Sequence, residues 1–470
     1  MKDVILFYKT TEVFSFLENL IVYNMVMANS NFKETISKIK NTTVKYYKLA
    51  GLFFLKFLQK HYIIIAMVLA TALALVARYF VVLHPTQDSV GYVLSWMNSI
   101  KENGFASFYK TSADYSPIFL FMIAIISLLP SGKQVTINGY TFYQNDMIYM
   151  KTVYYLVTIA LAFAVYLLIK EFTSSKGKAA IGYIATLVLP TVFLNSAVWG
   201  NADVIYVTFL VYSFYFIIKD KQRLAFIFFG LAFANKLQAV FLAPFLVYLM
   251  FARKIKVHKL IYAILALFVT FLPAYFCGAS FTDTFKYITE QIGGYNKLTL
   301  GCANLWQIID ISGDLFKDNV TWYSLSLIAV TLICVYYRGV DLDNKENLFK
   351  MGFFLIMITI FFLPHMHERY FYIIDVLVLV YAFIDKKKFY FVPLMQISSI
   401  IAYFHYLAGY YFIDSWGEGS VNIAAFINIL ILIVVAYDLI KAEHNSGFIK
   451  NLEKLDQDIQ EAKENDQDNK

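Results

Sequence analysis

The stretch YIIIAMVLATALALVARYFVVL, residues 62–83, carries a single charged side chain, Arg78. An α-helix rises about 1.5 Å per residue, so roughly 20 such residues cross the ~30 Å hydrocarbon core of a bilayer. Similar blocks recur to residue 440, and the chain is 59% apolar and only 16% charged, whereas soluble domains carry about 25% charged residues. Backbone groups in hydrocarbon must satisfy their own hydrogen bonds, which predicts helices. We therefore expect an all-α polytopic membrane protein with about 11–13 transmembrane helices. A soluble enzyme, a disordered chain, a nucleic-acid binder and a coiled coil are excluded.

The distribution of charge predicts three parts. Residues 1–60 contain a lysine-rich amphipathic stretch, which we interpret as a cytoplasmic or interfacial N-terminal extension. Residues 61–440 hold the apolar blocks and form the predicted transmembrane domain. Residues 441–470 are a charged cytoplasmic tail, in which the spacing of the apolar residues predicts a short surface helix.

The Lys and Arg residues between the blocks orient this domain, because short basic loops stay on the cytoplasmic side. Such loops are residues 170–178, 219–223, 253–259, 338–350 and 386–388. The block at 117–130 conflicts with their alternation, since a crossing there would leave Lys170 outside. Either this block re-enters the membrane without crossing it, or a crossing between residues 84 and 170 is counted wrongly.

Polar side chains within or beside the apolar blocks collect on the predicted outer side. They are Arg78, Asp88, Asp114, Asn195, Asn201, Asp203, Lys236, Gln238, His365, His367, Glu368 and Arg369. Such groups are costly at membrane depth and by default mark a functional site. A transporter would place them near the midplane, often in two related halves, and no internal repeat is visible. Their position at one interface favours an enzyme whose lipid substrate lies in the outer leaflet.

Two of the polar stretches admit both a functional and a structural interpretation. Asp88 directly follows the first block, where it could accept a proton from a substrate hydroxyl as a general base. It could equally cap a helix that starts at Ser89. The stretch NSAVWGNAD, residues 195–203, offers amide and carboxylate partners for a sugar, or it is an ordinary outer turn with Trp199 as an interface anchor.

Two further stretches add cationic groups. Lys236, in NKLQ (residues 235–238), could contact a lipid phosphate or extend harmlessly to the headgroups. LPHMHERY, residues 363–370, combines two histidines with Glu368 and Arg369. Arginine and histidine donors stabilise the charge that builds on a leaving phosphate. A structural ion pair or a zinc site are the alternatives, although histidines two positions apart do not share a helix face.

Together these stretches resemble the GT-C glycosyltransferases, multi-span enzymes that use polyprenyl-phosphate-linked sugars. The luminal glucosyltransferases of the N-glycan pathway and the mannosyltransferases of GPI-anchor synthesis are the members they resemble most. Asp88, Trp96 and the segment Asp114-Tyr115-Ser116-Pro117 resemble the acidic residue, the tryptophan and the DYPP of the family's first loop. The segment His365-Met366-His367-Glu368-Arg369 resembles its HxHE[KR] motif.

A third element of the resemblance is weaker. Lys236 and Gln238, followed by Pro244, resemble a KxQ…P segment of bacterial members. The chain departs from the family pattern at Ser116, which replaces the first proline of DYPP, and at Asp88, which stands alone where the family has an acidic pair. These departures leave metal dependence and the acceptor class open.

The resemblance implies a GT-C-like helical bundle with a helical first outer loop, and a site within it. Asp88 would be the catalytic base of an inverting transfer. Arg369 and His367, with Lys236 as a weaker candidate, would hold the donor phosphate. The candidate substrate-binding residues are Arg78, Asp114, Tyr115, Asp203, Gln238, His365 and Glu368. Asn304 and Trp306, in the outer loop 277–320, are expected to cover the site as a lid.

The predicted reaction transfers a hexose from a polyprenyl-phosphate donor to a cell-envelope glycan or a lipid-linked acceptor. The expected partners are that donor, that acceptor and membrane lipids, with no nucleic acid. No cofactor or resident metal is expected, and a divalent cation stays an open alternative. The richness in Ile, Lys, Asn, Tyr and Phe suggests a bacterial plasma membrane, with the active site facing outward. A lipid-linked saccharide flippase or other transporter, and a polysaccharide polymerase, are the alternatives.

Overall fold

The computed structural model describes residues 30–111, 113, 115–291, 297–309, 314–407 and 419–443. These residues are almost entirely helical, which confirms the all-α prediction. The α-helices are α1 (Ser30–Tyr79), α2 (Ser95–Asn103), α3 (Pro117–Ser127), α4 (Gln144–Lys170), α5 (Lys176–Val188), α6 (Pro190–Phe193), α7 (Asp203–Ile218), α8 (Gln222–Asn235), α9 (Ala243–Phe251), α10 (Leu260–Phe276), α11 (Phe281–Gln291), α12 (Leu305–Ile308), α13 (Asp314–Arg338), α14 (Lys345–Phe362), α15 (Tyr372–Ile384), α16 (Phe391–Leu407) and α17 (Gly419–Ile440). Shorter segments are the π-helical Gln87–Leu94 and Leu194–Trp199, the 3-10 helices Phe105–Lys110, Leu237–Leu242, Val257–Lys259 and Lys386–Lys388, and the strands β1 (Gln134–Ile137), β2 (Tyr140–Tyr143), β3 (Thr299–Leu300) and β4 (Met366–His367).

The chain divides into two compact units, Met1–Ala66 and Met67–Lys470. The described residues of the first unit belong to α1, and between residues 37 and 60 nearly all of their side chains are exposed. Helix α1 runs through residue 60, where the sequence predicted a boundary. The place of this segment at a membrane surface stays a prediction. The helix predicted in the C-terminal tail lies outside the described residues.

Five helices of the described chain are long and apolar enough to cross a membrane. They are Ser37–Tyr79, Gln144–Lys170, Val257–Phe276, Asn319–Arg338 and Gly419–Ile440. A bent pair, Lys176–Val188 with Pro190–Trp199, makes up to six if it counts as one span. The polytopic architecture is therefore confirmed. The higher number of crossings stays a prediction, because several apolar helices, such as α7 and α15, fall short of that length.

The bend in that pair has a local cause. Leu189 precedes Pro190 and adopts an extended conformation, with ψ at 126°, because a proline ring disfavours the helical conformation of the residue before it. The chain then resumes as α6 and the π-helical segment, which ends at Gly200 in the left-handed conformation (φ 69°). The stretch 195–203, which follows the break, is therefore buried inside the protein and not exposed at the end of a straight helix.

The region where the crossing count conflicted contains a short helix and a hairpin. Helix α3 has 11 residues, about 17 Å, which is less than the ~30 Å core of a bilayer. Strands β1 and β2 pair antiparallel, and Asn138 and Gly139 at their turn both have positive φ, as a type I′ turn requires. Helix α4 begins at Gln144, directly after the hairpin. The length of α3 favours the re-entrant alternative.

Three helices with uniformly apolar stretches lie at the centre of the second unit. Along most of α7, α14 and α15 the side chains are buried on every face, as expected for helices without a polar side. Near their ends, β3 pairs in parallel with β4, so that Thr299 lies opposite Met366 and Leu300 opposite His367. This short pairing fixes the LPHMHERY loop between α14 and α15.

Candidate active site

Asp88 lies in the first turn of the π-helical segment Gln87–Leu94. The N-cap of that segment is Thr86, whose Oγ1 accepts a hydrogen bond from the Ser89 backbone N–H at 3.2 Å. The Ser89 hydroxyl accepts in turn from the Thr86 backbone N–H at 2.9 Å. This reciprocal pair is a capping box, so the alternative in which Asp88 caps the helix is wrong. The Asp88 carboxylate instead bonds residues from other parts of the chain.

The Asp88 carboxylate accepts three hydrogen bonds from distant parts of the chain. Oδ2 accepts from Trp199 Nε1 and from Asn201 Nδ2, each at 3.0 Å. Oδ1 accepts from the Tyr406 hydroxyl at 2.9 Å. The Asp88 side chain keeps 18% of its surface exposed. Three donors therefore orient an anion that a substrate can still reach.

The donors on Oδ2 come from the turn that follows the broken span. Gly200, in the left-handed conformation, lets Trp199 and Asn201 on either side of it approach the same oxygen. The Trp199 indole is fully buried and stacks on Tyr406, with ring centroids 4.6 Å apart. The alternative of an interface anchor is therefore wrong for Trp199.

Asp203 and Lys236 form a buried ion pair next to this turn. Lys236 Nζ lies 2.5 Å from Asp203 Oδ1 and donates to the Tyr115 hydroxyl at 3.3 Å. The Asp203 side chain is fully buried, and 5% of the Lys236 side chain is exposed. Burial of the ammonium excludes the alternative in which Lys236 extends to the lipid headgroups.

Arg369 joins three carboxylates. Its Nη1 lies 2.7 Å from Glu368 Oε1 and 3.7 Å from Asp88 Oδ2, and its Nε lies 3.2 Å from Asp203 Oδ2. Burial alone would lower the pKa of Arg369, but the charges of Asp88, Glu368 and Asp203 raise it well above the ordinary value. The guanidinium therefore stays charged. We call Asp88, Asp203, Lys236, Glu368 and Arg369 the charged cluster.

His367 borders the charged cluster. Its Nδ1 lies 3.5 Å from Glu368 Oε2. Burial, and then the charge of Arg369, lower the pKa of His367. Burial alone would raise the pKa of Glu368, but the charge of Arg369 and the hydrogen bond from His367 lower it. At neutral pH the pair is therefore a neutral imidazole beside an ionised carboxylate.

The zinc alternative depended on both histidines meeting Glu368. His365 Nδ1 instead lies 2.7 Å from the Lys297 backbone carbonyl oxygen. Among the described residues, no group of three or more His, Cys, Asp or Glu side chains could hold a metal ion. The expected absence of a resident metal stays a prediction.

Of the other predicted substrate-binding residues, Gln238 lies next to the charged cluster and Arg78 lies away from it. Gln238 Nε2 donates to the Tyr370 hydroxyl at 2.7 Å, and Tyr370 lies under Lys236. Arg78 donates to the Leu187 carbonyl oxygen at 2.8 Å, and no contact with the cluster is seen among the described residues. Asp114 lies outside the described residues. Substrate roles for these residues stay predictions.

The sequence did not predict two sets of contacts that shape the site. Tyr406 lies in an apolar block with no polar pattern, so no local signal marked its hydroxyl as a partner of Asp88. Asn304 and Trp306, predicted as a lid, donate to the carbonyl oxygens of Leu363 and Phe362 at 3.0 and 2.6 Å. They thus anchor the loop that carries Arg369.

A cavity of about 460 Å³ lies beside the cluster, a volume typical of small-ligand sites. The 3-10 helix Phe105–Lys110, the start of α3 and the start of α11 line it, with Tyr109, Lys110, Tyr115, Asp283 and Lys286 among the lining residues. Tyr115, which lines this cavity, also accepts a hydrogen bond from Lys236 through its hydroxyl. Tyr115 therefore connects the lining of the cavity to Lys236 of the charged cluster.

The Lys236–Asp203 pair predicts a stability effect. Removing one partner of a buried ion pair leaves an uncompensated charge and costs about 3–5 kcal/mol. We expect Lys236→Met to lower the free energy of unfolding by this amount, and Lys236→Met/Asp203→Asn to recover most of it. Equilibrium unfolding in mixed micelles measures both. Lys345→Met, which removes an exposed partner of Glu171, is the matched control and should cost about 1 kcal/mol or less.

His367 predicts a pH dependence of stability. Its pKa in the folded protein is lowered, so between that value and the ordinary one of about 6.5 the unfolded chain binds more protons. This histidine therefore leaves stability unchanged above about pH 6.5 and reduces it as the pH falls through that window. We expect His367→Gln to lose less thermal stability on acidification than the wild type. An identical pH profile for the two would contradict this, and His258→Gln, at an exposed position of the 3-10 helix Val257–Lys259, is the control.

A helical membrane protein with a buried carboxylate–arginine cluster beside a ligand-sized cavity fits the GT-C class of membrane glycosyltransferases. The chain belongs to glycosyltransferase family 87, whose sequence model matches residues 113–364. Asp203 and Lys236 lie within that range, and the fold joins them to Asp88 and Arg369 on either side of it. No curated protein matches the chain. It is thus an integral membrane glycosyltransferase with a sugar donor and an acceptor.

Proposed function

We propose that the protein transfers a hexose from a polyprenyl-phosphate donor to a cell-envelope glycan or lipid-linked acceptor, with inversion. The observation that carries this proposal is the partly exposed Asp88 carboxylate with Arg369 Nη1 3.7 Å away. A base that takes a proton and a cation that meets a leaving phosphate are the two groups that such a transfer needs. Here they stand side by side.

Asp88 acts as the general base. The acceptor hydroxyl gives its proton to the Asp88 carboxylate while its oxygen forms the new bond to the anomeric carbon. The bond from that carbon to the phosphate oxygen breaks, and the electron pair leaves with the polyprenyl phosphate. Attack opposite the leaving group inverts the anomeric configuration.

Arg369 is the principal ligand of the leaving phosphate. Its Nε and Nη1 face the three carboxylates. No hydrogen bond or ion pair of Nη2 is seen among the described residues, which leaves this nitrogen for a phosphate oxygen. One donor aimed at a developing charge contributes about 10²–10³ in rate. Lys236 is held by Asp203 and adds a second positive charge near the leaving phosphate. His367 adds a donor when it is protonated.

The charges of the cluster favour the transition state over the ground state. Before reaction, the carboxylates of Asp88, Asp203 and Glu368 outnumber the cations of Lys236 and Arg369. Proton transfer to Asp88 removes one negative charge at the moment when the phosphate gains charge. Arg369 is thereby released toward the phosphate, and interactions that strengthen in this way accelerate the chemical step.

The acceptor occupies the cavity beside Tyr115. Tyr115 lines the cavity and accepts a hydrogen bond from Lys236 of the cluster. The cavity also presents Lys110, Asp283 and Lys286, side chains suited to hydroxyl and anionic groups. The donor enters from the membrane, where its polyprenyl chain stays among the lipids. The positive-inside pattern supports an active site on the outer face of a bacterial plasma membrane.

The test is release of polyprenyl phosphate by the purified protein from a panel of polyprenyl-phosphate hexoses. Cell-envelope extract serves as the acceptor, and a reaction without protein is the blank. We expect release from one hexose, and a product whose anomeric configuration is opposite to that of the donor. Release from none of the donors, with or without extract, would reject the proposal and favour a flippase. Retention of configuration would reject the role of Asp88.

A further inference from the structure

Lys151, on the second turn of α4, is a fully buried cation outside the charged cluster. Only 1% of its surface is exposed. Among the described residues no carboxylate pairs with it, although a buried charge is costly unless it is satisfied. Its ammonium has three N–H donors, and each finds a backbone carbonyl oxygen: His84 at 2.8 Å, Ala197 at 2.8 Å and Val198 at 3.2 Å.

These three carbonyls belong to the two segments that build the surroundings of Asp88. His84 lies in the loop that leads into the capping box at Thr86. Ala197 and Val198 lie in the last turn of the segment Leu194–Trp199, where the final carbonyls of a helix lack partners and favour a cation. Lys151 therefore connects the segment that carries Asp88 to the segment that carries its donor Trp199.

Two neighbouring contacts show how closely this connection is fitted. The Thr86 hydroxyl donates to the Trp199 carbonyl oxygen at 2.7 Å, so the same segments are joined a second time. A Cβ atom on Gly200 would lie 2.7 Å from Lys151 Cε, closer than carbon atoms pack at their optimal separation of about 3.5–4.0 Å. The side chain of Lys151 thus passes directly beneath the turn that aims Trp199 and Asn201.

We propose that Lys151 is a positioning residue for Asp88. Its ammonium fixes the distance between the loop at His84 and the turn at Ala197, and so places the donors Trp199 and Asn201 on the carboxylate. Lys151 does not touch the substrate. This inference rests on the proposed role of Asp88 as the base.

The test is the kinetics of Lys151→Met, per folded protein, in the polyprenyl-phosphate release assay. Methionine has a similar length but no donors, so the three carbonyls lose their partner. A misplacement of about 1 Å in a catalytic group costs on the order of a hundredfold in rate. We expect kcat to fall about that much while KM for the polyprenyl-phosphate hexose stays within about twofold. Lys170→Met, at the far end of α4, is the control and should leave both unchanged.

A double variant shows whether Lys151 acts through Asp88. In the Asp88→Asn background, Lys151→Met should cause no further loss, because groups that act as a unit are not additive. Unchanged kcat, a raised KM with unchanged kcat, or losses that multiply would each overturn the inference. Activity retained by Asp88→Asn would instead overturn the proposed base, and with it a positioning role for Lys151.

Gly200→Ala tests the same connection if Lys151→Met does not fold. It keeps the ammonium but brings a methyl group against Lys151 Cε, at a residue whose positive φ already disfavours alanine. The same loss of kcat with KM unchanged supports the positioning role. A wild-type kcat in folded Gly200→Ala overturns it.

Discussion

We expect Asp88→Asn to lower the rate of sugar transfer by about 10²–10⁴-fold, the usual contribution of a general base. Asparagine keeps the shape of the side chain but cannot accept the acceptor's proton. Its carbonyl oxygen can still accept from Trp199 and Asn201. Its amide can donate to the Tyr406 hydroxyl, which is able to accept as well as donate. The site should therefore keep its geometry and lose its chemistry.

The measurement for Asp88→Asn is polyprenyl phosphate release at saturating donor, together with the thermal unfolding of the same preparation. Binding of the donor should be retained, because asparagine removes a negative charge from beside the leaving phosphate. Asp343→Asn is the matched control: it makes the same carboxylate-to-amide change at the partner of Lys254, away from the charged cluster. A folded Asp88→Asn protein with wild-type turnover would remove Asp88 from the role of base.

The sequence predicts the helices better than the contacts between them. Long apolar blocks have only one low-energy conformation in a membrane, so α4, α10, α13 and α17 are predictable without any tertiary information. The hairpin β1–β2 is not, since its strands are only four residues long. The Asn138-Gly139 pair at its turn was the available signal. Breaks at prolines were also predictable in principle, as Pro190 shows.

The sequence identified the polar residues of the site and predicted the side of the membrane on which they lie. It did not predict which of them contact one another. Asp88 and Arg369 stand out because ionisable groups are rare at membrane depth. Their distance depends on how helices far apart in the sequence pack, which a single sequence does not specify. Tyr406 gives no signal, because a tyrosine in an apolar block is an ordinary residue there. Lys151 gave the same signal as Asp88 and Arg369, a charge in an apolar block, but only its three carbonyl partners show what it does.

Arg369→Ala is expected to combine two large effects, a fall in turnover of about 10²–10³-fold and a loss of stability of about 3–5 kcal/mol. The first follows from the loss of the donor to the leaving phosphate. The second follows because the buried Asp203 and Glu368 and the partly exposed Asp88 would remain side by side without their common cation. Arg223→Ala, at an exposed position at the start of α8, should change neither quantity.

The two effects of Arg369 can be separated by changing the carboxylates. In Arg369→Ala/Glu368→Gln the carboxylate nearest to the guanidinium loses its charge, so part of the stability should return. Turnover should not return, because the phosphate still lacks its ligand. Arg369→Lys keeps a charge but not the planar guanidinium that reaches several carboxylates and a phosphate at once, so we expect it to recover stability more than rate. If turnover recovers in step with stability across these three variants, Arg369 holds the cluster together without acting on the phosphate. If stability returns while turnover stays low, Arg369 stabilises the charge of the leaving group.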